Sequence, residues 1–362
     1  MEVTPPLAPM LARLTRTLPV APGLVYEPKW DGFRGLVFRA GDAVDLRSRH
    51  DRPLSRYFPE LVEAFLDVGH PGAEFVVDGE IVIMGGPTAS SFDFGALLAR
   101  LHPAASRVER LRQATPASFI AFDLLAVGPE DLRERPFAER RQRLLALLAK
   151  APEPIVVTPA TEDPEVATRW LRSAGGGVDG VVAKAADLRY QPGTRAMVKV
   201  KRHRTADCVV GGFRYYGGES DSGLSSLLLG VYDSAGDLHH VGVATAFADD
   251  ERLEVLTQVS CSVSELAGHP WQDGFGVGPN PLGRLQGAAG RWTPDLPLDW
   301  VPVRPVLVAE VGYDQLDGDR FRHPARFRRW RPDRDPRSCT FEQFQAEAEA
   351  TGAALLAGRD GR

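Results

Sequence analysis

The densest group of reactive side chains is Glu27-Pro28-Lys29-Trp30-Asp31-Gly32-Phe33-Arg34. A lysine just ahead of an Asp-Gly turn is held in one place, as a nucleophile requires. An ordinary ammonium, with a pKa of about 10.4, attacks poorly at neutral pH. Burial beside other cations disfavours its charged form and activates it. Lysine is scarce here, with 5 Lys against 38 Arg. In a chain so rich in Arg, Ala, Gly and Pro, each remaining Lys is a candidate for chemistry that a permanently protonated guanidinium cannot do. The five are Lys29, Lys150, Lys184, Lys199 and Lys201. Lys184, Lys199 and Lys201 would supply the activating cations if their strands converge on Lys29.

Strands must do that positioning. Residues 23–49 read as apolar runs on either side of Asp31-Gly32, a hairpin signal. EFVVDGEIVIM (74–84), SFIAFDLLAV (118–127), VDGVVAKA (178–185) and MVKVKR (197–202) read as further strands, with helices over 59–68, 136–150 and 164–174. Beyond Arg204 the pattern becomes β-rich around one helix, DERLEVLTQVSCSVSEL, with a hairpin turn at Ser234-Ala235-Gly236-Asp237. About 130 residues of short strands and one helix suit a small barrel such as an OB-fold. The expected division is 1–203, 204–340 and a C-terminal helix and tail over 341–362, with Thr340 and Gln343 as a capping box. Residues 268–297, dense in Gly and Pro, read as an irregular loop.

The composition limits the function classes. Apolar residues make up 43% and charged residues 25% of 362 residues, as in soluble two-domain proteins. No apolar run reaches the roughly 18 residues of a membrane span, and MEVTPPLAPM lacks the plan of a signal peptide. Cys208, Cys261 and Cys339 lie far apart, which supports neither a disulfide framework nor a zinc ribbon. A net charge of −5 argues against coating nucleic acid by bulk charge, yet basic strips run from Arg195 to Arg204 and from Arg322 to Arg337. A soluble, cytoplasmic protein is the expectation.

The motifs resemble those of the covalent nucleotidyltransferases, the superfamily of ATP-dependent DNA ligases, RNA ligases and mRNA capping enzymes. KWDGFR fits K-x-D-G-x-R. In order follow Leu46-Arg47-Ser48-Arg49 with Phe58-Pro59-Glu60-Leu61, Asp78-Gly79-Glu80, Phe122-Asp123-Leu124-Leu125, Asp179-Gly180-Val181-Val182-Ala183-Lys184, Lys199-Val200-Lys201 and Arg329-Trp330-Arg331-Pro332-Asp333-Arg334. Together they span residues 20–337. The wording EPKWDGFR and the Ser-Arg patch point to DNA ligases, and Lys29 so near the start resembles the minimal bacterial type, ligase C-like, with the ligase domain of ligase D.

That resemblance implies an α+β protein: an adenylation (nucleotidyltransferase, ATP-grasp-like) domain of antiparallel sheets and helices, then an OB-fold barrel. It implies nick sealing in duplex DNA through a lysyl-AMP on Lys29 and an adenylated 5′ end, in repair. Glu27 would meet the adenine edge and Phe122 would stack on adenine. Arg34 and Glu80 would hold the ribose, and Arg49 and Arg195 phosphate. Lys199 and Lys201 would neutralise the α-phosphate. Glu80 and Asp179 would take Mg²⁺ or Mn²⁺. By residue alone, the lesser alternatives are a plain core role for Phe122, a strand-terminal acid for Glu80 and a structural role for Lys184.

Three positions depart from the family pattern: Asp179 for Glu, Met197 for Trp, and Arg334 for the last Lys. The resemblance further implies a monomer acting on nicked double-stranded DNA, with a primase-polymerase or other repair factor as partner. The arginines of 322–337, with Phe327 and Trp330, would face phosphates, and a hinge at 202–206 would let the barrel swing. The rival readings are an RNA ligase or capping-type enzyme, and a silent nucleotide- or DNA-binding repair factor.

Overall fold

Runs of alternating apolar residues, broken by single glycines and charged residues, fold here into two kinds of β-structure. The computed structural model describes residues 2–85, 92–202, 204–216, 223–245, 247, 249–272, 300–345 and 355–356. The chain divides into two compact units, Met1–Arg202 with Ala348–Arg362, and His203–Glu347.

Among the described residues the first unit holds ten strands: β1 (Ala12–Thr15), β2 (Leu24–Trp30), β3 (Phe33–Ala40), β4 (Ala43–Ser48), β5 (Glu74–Ile83), β6 (Ala117–Val127), β7 (Glu130–Asp131), β8 (Ile155–Val157), β9 (Val178–Ala185) and β10 (Met197–Lys201). They form a four-stranded sheet ordered β1-β10-β9-β2 and a six-stranded sheet ordered β4-β3-β5-β6-β7, with β8 beside β6. Five helices accompany them: α1 (Pro59–Leu66), α2 (Phe94–Ala99), α3 (Ala105–Ala114), α4 (Phe137–Leu147) and α5 (Pro164–Arg172). Leu61 and Phe65 of α1 and Leu144 of α4 pack with Phe75, Phe119 and Leu124 of the six-stranded sheet. Helices α2 and α3 had no expectation in the sequence; Asp93 caps α2 by accepting from the Ala96 amide.

One side of β5 places Val76, Asp78, Glu80 and Val82 in a row, since alternate residues share a face. Val76 belongs to one apolar cluster with Leu36, Tyr190 and Met197, and Val82 to another with Tyr26, Trp30 and Trp170. The two carboxylates between them therefore lie in a polar gap flanked by apolar packing.

The hairpin expected at Asp31-Gly32 does not form. β2 pairs with β9 and β3 with β4 and β5, so the dipeptide carries the chain from one sheet to the other. Gly32 is needed for close approach: a Cβ there would collide with the Ile81 carbonyl.

The second unit is a closed barrel of β11 (Arg204–Tyr215), β12 (Leu224–Tyr232), β13 (Leu238–Thr245), β14 (Val301–Tyr313) and β17 (Ala325–Trp330), ordered β11-β12-β13-β17-β14. The small hairpin of β15 (Leu316–Asp317) and β16 (Arg320–Phe321) precedes β17. Helix α6 (Asp249–Ser260) lies between the third and fourth barrel strands, and β13 meets β17 in parallel. Five strands with this order make an OB-fold, and the whole chain is α+β.

The expected capping box at Thr340 is not made. Gln343, in the short helix α7 (Glu342–Gln345), donates to the Thr340 and Asp207 carbonyls and accepts from the Asp207 amide, so its side chain is spent on β11. Phe341 and Phe344 pack against the barrel core, and Leu355 belongs to the first unit's cluster around Trp30. Most of loop 268–297, from residue 273 on, lies outside the described residues.

Candidate active site

Two irregularities in strand pairing build the site. Lys29 of β2 pairs with Gly180 of β9, but Trp30 pairs with Val178, so Asp179 is the extra residue of a bulge. The same Gly180 pairs with Lys201 of β10. Gly180 has φ +154°, and a Cβ there would strike the Val200 carbonyl. Only glycine lets the three strands close around the bulge. The result is a shared carboxylate: Asp179 Oδ2 lies 2.5 Å from Lys29 Nζ and 3.2 Å from Lys201 Nζ. Burial works to raise the Asp179 carboxyl, yet Lys29 and Lys201 outweigh it and hold it below its usual value. Lys199, two residues before Lys201, is lowered by burial and by the charges of Lys29, Lys201 and Arg49.

The second irregularity sits on the facing sheet. Asp78 pairs with Asp123 and Gly79 with Ala121, leaving Phe122 as the bulged residue of β6. Its neighbours on both sides are buried while Phe122 itself is partly exposed. The bulge leaves the ring only partly buried in a strand that is buried on either side of it. Arg34 lies over that ring with its guanidinium carbon 4.4 Å from the centroid. The fork of Arg34 grips Asp78 through Nε at 2.5 Å and Nη2 at 2.6 Å. Asp78 also accepts from the Tyr190 hydroxyl at 2.6 Å, and that hydroxyl accepts from the Met10 amide at 3.0 Å. Glu80, the cross-strand neighbour of Arg34, is pushed up to about 7 by burial, against the opposing pull of Arg34 and Lys29.

Glu27 is buried below this gap, held by two cations. Its Oε2 lies 2.7 Å from Lys184 Nζ and its Oε1 2.8 Å from Arg141 Nη1. Lys184 further donates to the Phe122 carbonyl at 3.3 Å and lies over the Phe137 ring at 4.4 Å. Lys184 is therefore spent on Glu27 and does not join the cations around Lys29, as the sequence had suggested. The direct partner of Lys29 is a carboxylate. Removing one partner of a buried pair like Glu27 and Lys184 strands a charge, at a cost of about 3–5 kcal/mol.

Of the residues expected in the site, Lys29, Lys201, Asp179 and Lys199 come together, as do Arg34, Glu80 and Phe122, with Glu27 tied to Phe122 through Lys184. Arg49 is exposed, though its charge is felt at Lys199. Arg195 is exposed in the turn before β10 and makes no contact with the others among the described residues. Asp78, Tyr190, Met10 and Arg141 were not singled out from the sequence. Asp78 sits within a recognised motif, but α4 reads only as a charged amphipathic helix, with nothing to mark Arg141.

The basic strip of the second unit is neutralised in part, through Arg329, Arg331 and Arg334. Arg331 pairs with Asp207 at 3.0 Å and Asp333 at 2.8 Å, and Arg329 with Glu310 at 2.8 Å. Phe327 is buried in the barrel core and Trp330 packs against it, so these rings do not face phosphates as expected. Arg326 and Arg328 are exposed and without an ion pair among the described residues.

Residues 5–201 match the family model for the ATP dependent DNA ligase domain, and residues 220–334 the model for the ATP dependent DNA ligase C terminal region. DNA ligase C2 of Mycolicibacterium smegmatis is 49% identical over 96% of this chain and 96% of its own length. DNA ligase C of Mycobacterium tuberculosis is 48% identical over 95% of each. The solved structure Pmar-Lig_PreS3 shares the fold, with TM-score 0.55 and 17% identity over 85% of this chain and 63% of that one. Family models that together cover most of the chain, and relatives at 48–49% identity over nearly the full length of both chains, establish that the chain belongs to the ATP-dependent DNA ligases.

Proposed function

We propose that the chain seals 3′-OH/5′-phosphate nicks in duplex DNA, using ATP, in three steps. The Lys29 amine attacks the α-phosphorus of ATP and pyrophosphate leaves. The AMP passes to the 5′-phosphate of the nick, and the 3′-OH then displaces AMP as the phosphodiester forms. The observation that carries this reading is the convergence of Lys29 and Lys201 on Asp179 Oδ2. Asp179 holds the Lys29 nitrogen in place for attack once it has given up a proton and become the free amine, and Lys201 and Lys199 remain to balance the charge that builds on phosphate.

Each other residue has a task that its geometry supports. Phe122 offers one face to adenine, Glu27 its edge, and Arg34 and Glu80 the ribose. Arg49 and Arg195, both exposed, are assigned to the phosphates. Asp179 and Glu80 fit a hard divalent ion, Mg²⁺ or Mn²⁺, because such ions take one or two carboxylates and complete their shell with phosphate oxygen and water. No group of three His, Cys, Asp or Glu that could cage a metal exists among the described residues. When bound, the ion would polarise the phosphoryl oxygens. The functional domains are taken as 1–203 for adenylation, 204–340 for the barrel and 341–362 for the tail, with the barrel swinging about 202–206. Action as a cytoplasmic monomer in repair, alongside a primase-polymerase or other repair factor, completes the proposal. No helix among the described residues is long and apolar enough to cross a membrane.

A two-stage assay tests this reading. Folded protein is incubated with labelled ATP and Mg²⁺, then chased with nicked DNA or nicked RNA. Label that forms on protein, passes to DNA and leaves a sealed strand is the expected result. Transfer to RNA alone would make the chain an RNA-joining enzyme, and no label would make it a silent binding factor.

A further inference from the structure

Outside the motifs, the side chain that reaches Glu27 is Arg141, on the helix α4. Its Nη1 donates to Glu27 Oε1 at 2.8 Å and its Nη2 to the Thr158 carbonyl at 2.8 Å. The Thr158 hydroxyl accepts from Trp30 Nε1 at 2.8 Å, and the Thr158 amide donates to the Ala121 carbonyl at 2.9 Å. Lys184 completes the circuit from Glu27 to the Phe122 carbonyl. Glu27 lies on the four-stranded sheet and Phe122 on the six-stranded one. Arg141 and Lys184 thus fix the distance between an aromatic face and a carboxylate edge, the two surfaces that a stacked purine would touch.

We propose that Arg141 is a positioning residue that sets nucleotide affinity and base selection by holding Glu27. The inference rests on the adenylation reading above. A carboxylate has about four acceptor directions. Arg141 and Lys184 occupy one on each oxygen, which leaves the carboxylate aimed and still able to accept from a ligand. Adenine presents an amino donor beside a ring-nitrogen acceptor, whereas guanine presents a carbonyl beside an N–H. A fixed carboxylate beside the Lys184 ammonium welcomes the first order and repels the second. Without Arg141, Glu27 keeps Lys184 and loses its second anchor, so it can rotate away from the edge.

The test compares wild type with Arg141→Met, which keeps the apolar stem, and Arg141→Lys, which keeps the charge and loses the fork. Lys29 adenylylation is followed against ATP and GTP concentration. In Arg141→Met the KM for ATP rises roughly tenfold, the size of one lost charge-assisted hydrogen bond, while kcat changes much less. Its preference for ATP over GTP narrows by a similar factor, and Arg141→Lys recovers part of both. A folded Arg141→Met with unchanged KM and unchanged ATP/GTP ratio overturns the inference. If that variant does not fold, an unchanged KM and ratio in Arg141→Lys assigns Arg141 to the fold alone and overturns it equally. Wild type that takes no label from ATP fails the adenylation reading instead, so the two failures are distinguishable.

Discussion

The two units use positive charge in opposite ways. In the first, few cations converge on buried carboxylates: Lys29 and Lys201 on Asp179, Arg34 on Asp78, Lys184 and Arg141 on Glu27. In the second, many arginines line one strand and the turn after it, and Arg329, Arg331 and Arg334 among them are matched by the nearby acids Asp207, Glu310 and Asp333. The density of charge in a sequence therefore says little about which charges meet a ligand. Bulges and sheet crossings set which charges converge in the first unit, and acid neighbours set which arginines are paired in the second.

The sharpest way to break this contrast is at Lys29. Lys29→Arg keeps the charge and the pair with Asp179 but cannot offer a neutral amine. Covalent labelling by ATP is expected to fall at least ~10⁴-fold, and a labelled variant would show that position, not amine chemistry, matters. Asp179→Asn comes next: with its shared anchor neutral, Lys29 loses its aim, and the adenylylation rate in a single-turnover experiment falls about 100-fold. A near-normal rate would reduce Asp179 to a packing role.

Smaller effects belong to the barrel. Arg326→Ala or Arg328→Ala should each lower the salt slope of nicked-duplex binding by about one, whereas Arg329→Ala, which loses an already neutralised group, should change it less. Equal slopes for all three would erase the distinction between paired and unpaired arginines. Smallest of all is a pH effect. Burial, with the charges of Arg320 and Arg214, drives the His240 pKa from 6.5 down to about 3. Between those values the unfolded chain binds a proton that the folded one refuses, so stability present above pH 6.5 is lost as pH falls. In thermal melts of the full chain, His240→Gln should lose less Tm than wild type between pH 7 and pH 5; an identical loss would contradict the assignment.

Much of this was legible in the residues. Scarcity of lysine picked out Lys29, Lys199 and Lys201, and ordered motifs named their companions. The barrel showed itself through short strands around a single helix. What stayed hidden was tertiary. FIAFDLL reads as a uniformly buried strand because a one-residue bulge leaves no mark on hydrophobic pattern, yet that bulge exposes Phe122. Asp31-Gly32 has hairpin chemistry, but β9 and β5 outcompete the local pairing of β2 with β3. Arg141 lies 114 residues from Glu27, and no local rule links a helix arginine to a strand carboxylate at that separation.

The central claim is that Lys29, rather than the neighbouring Lys201 on the same carboxylate, is the nucleophile. Wild-type protein incubated with ATP and Mg²⁺, digested and mapped by mass spectrometry tests it directly. The account predicts a single adenylate carried by the peptide containing Lys29. An adenylate on Lys201 or Lys199, or none on folded protein, would contradict it.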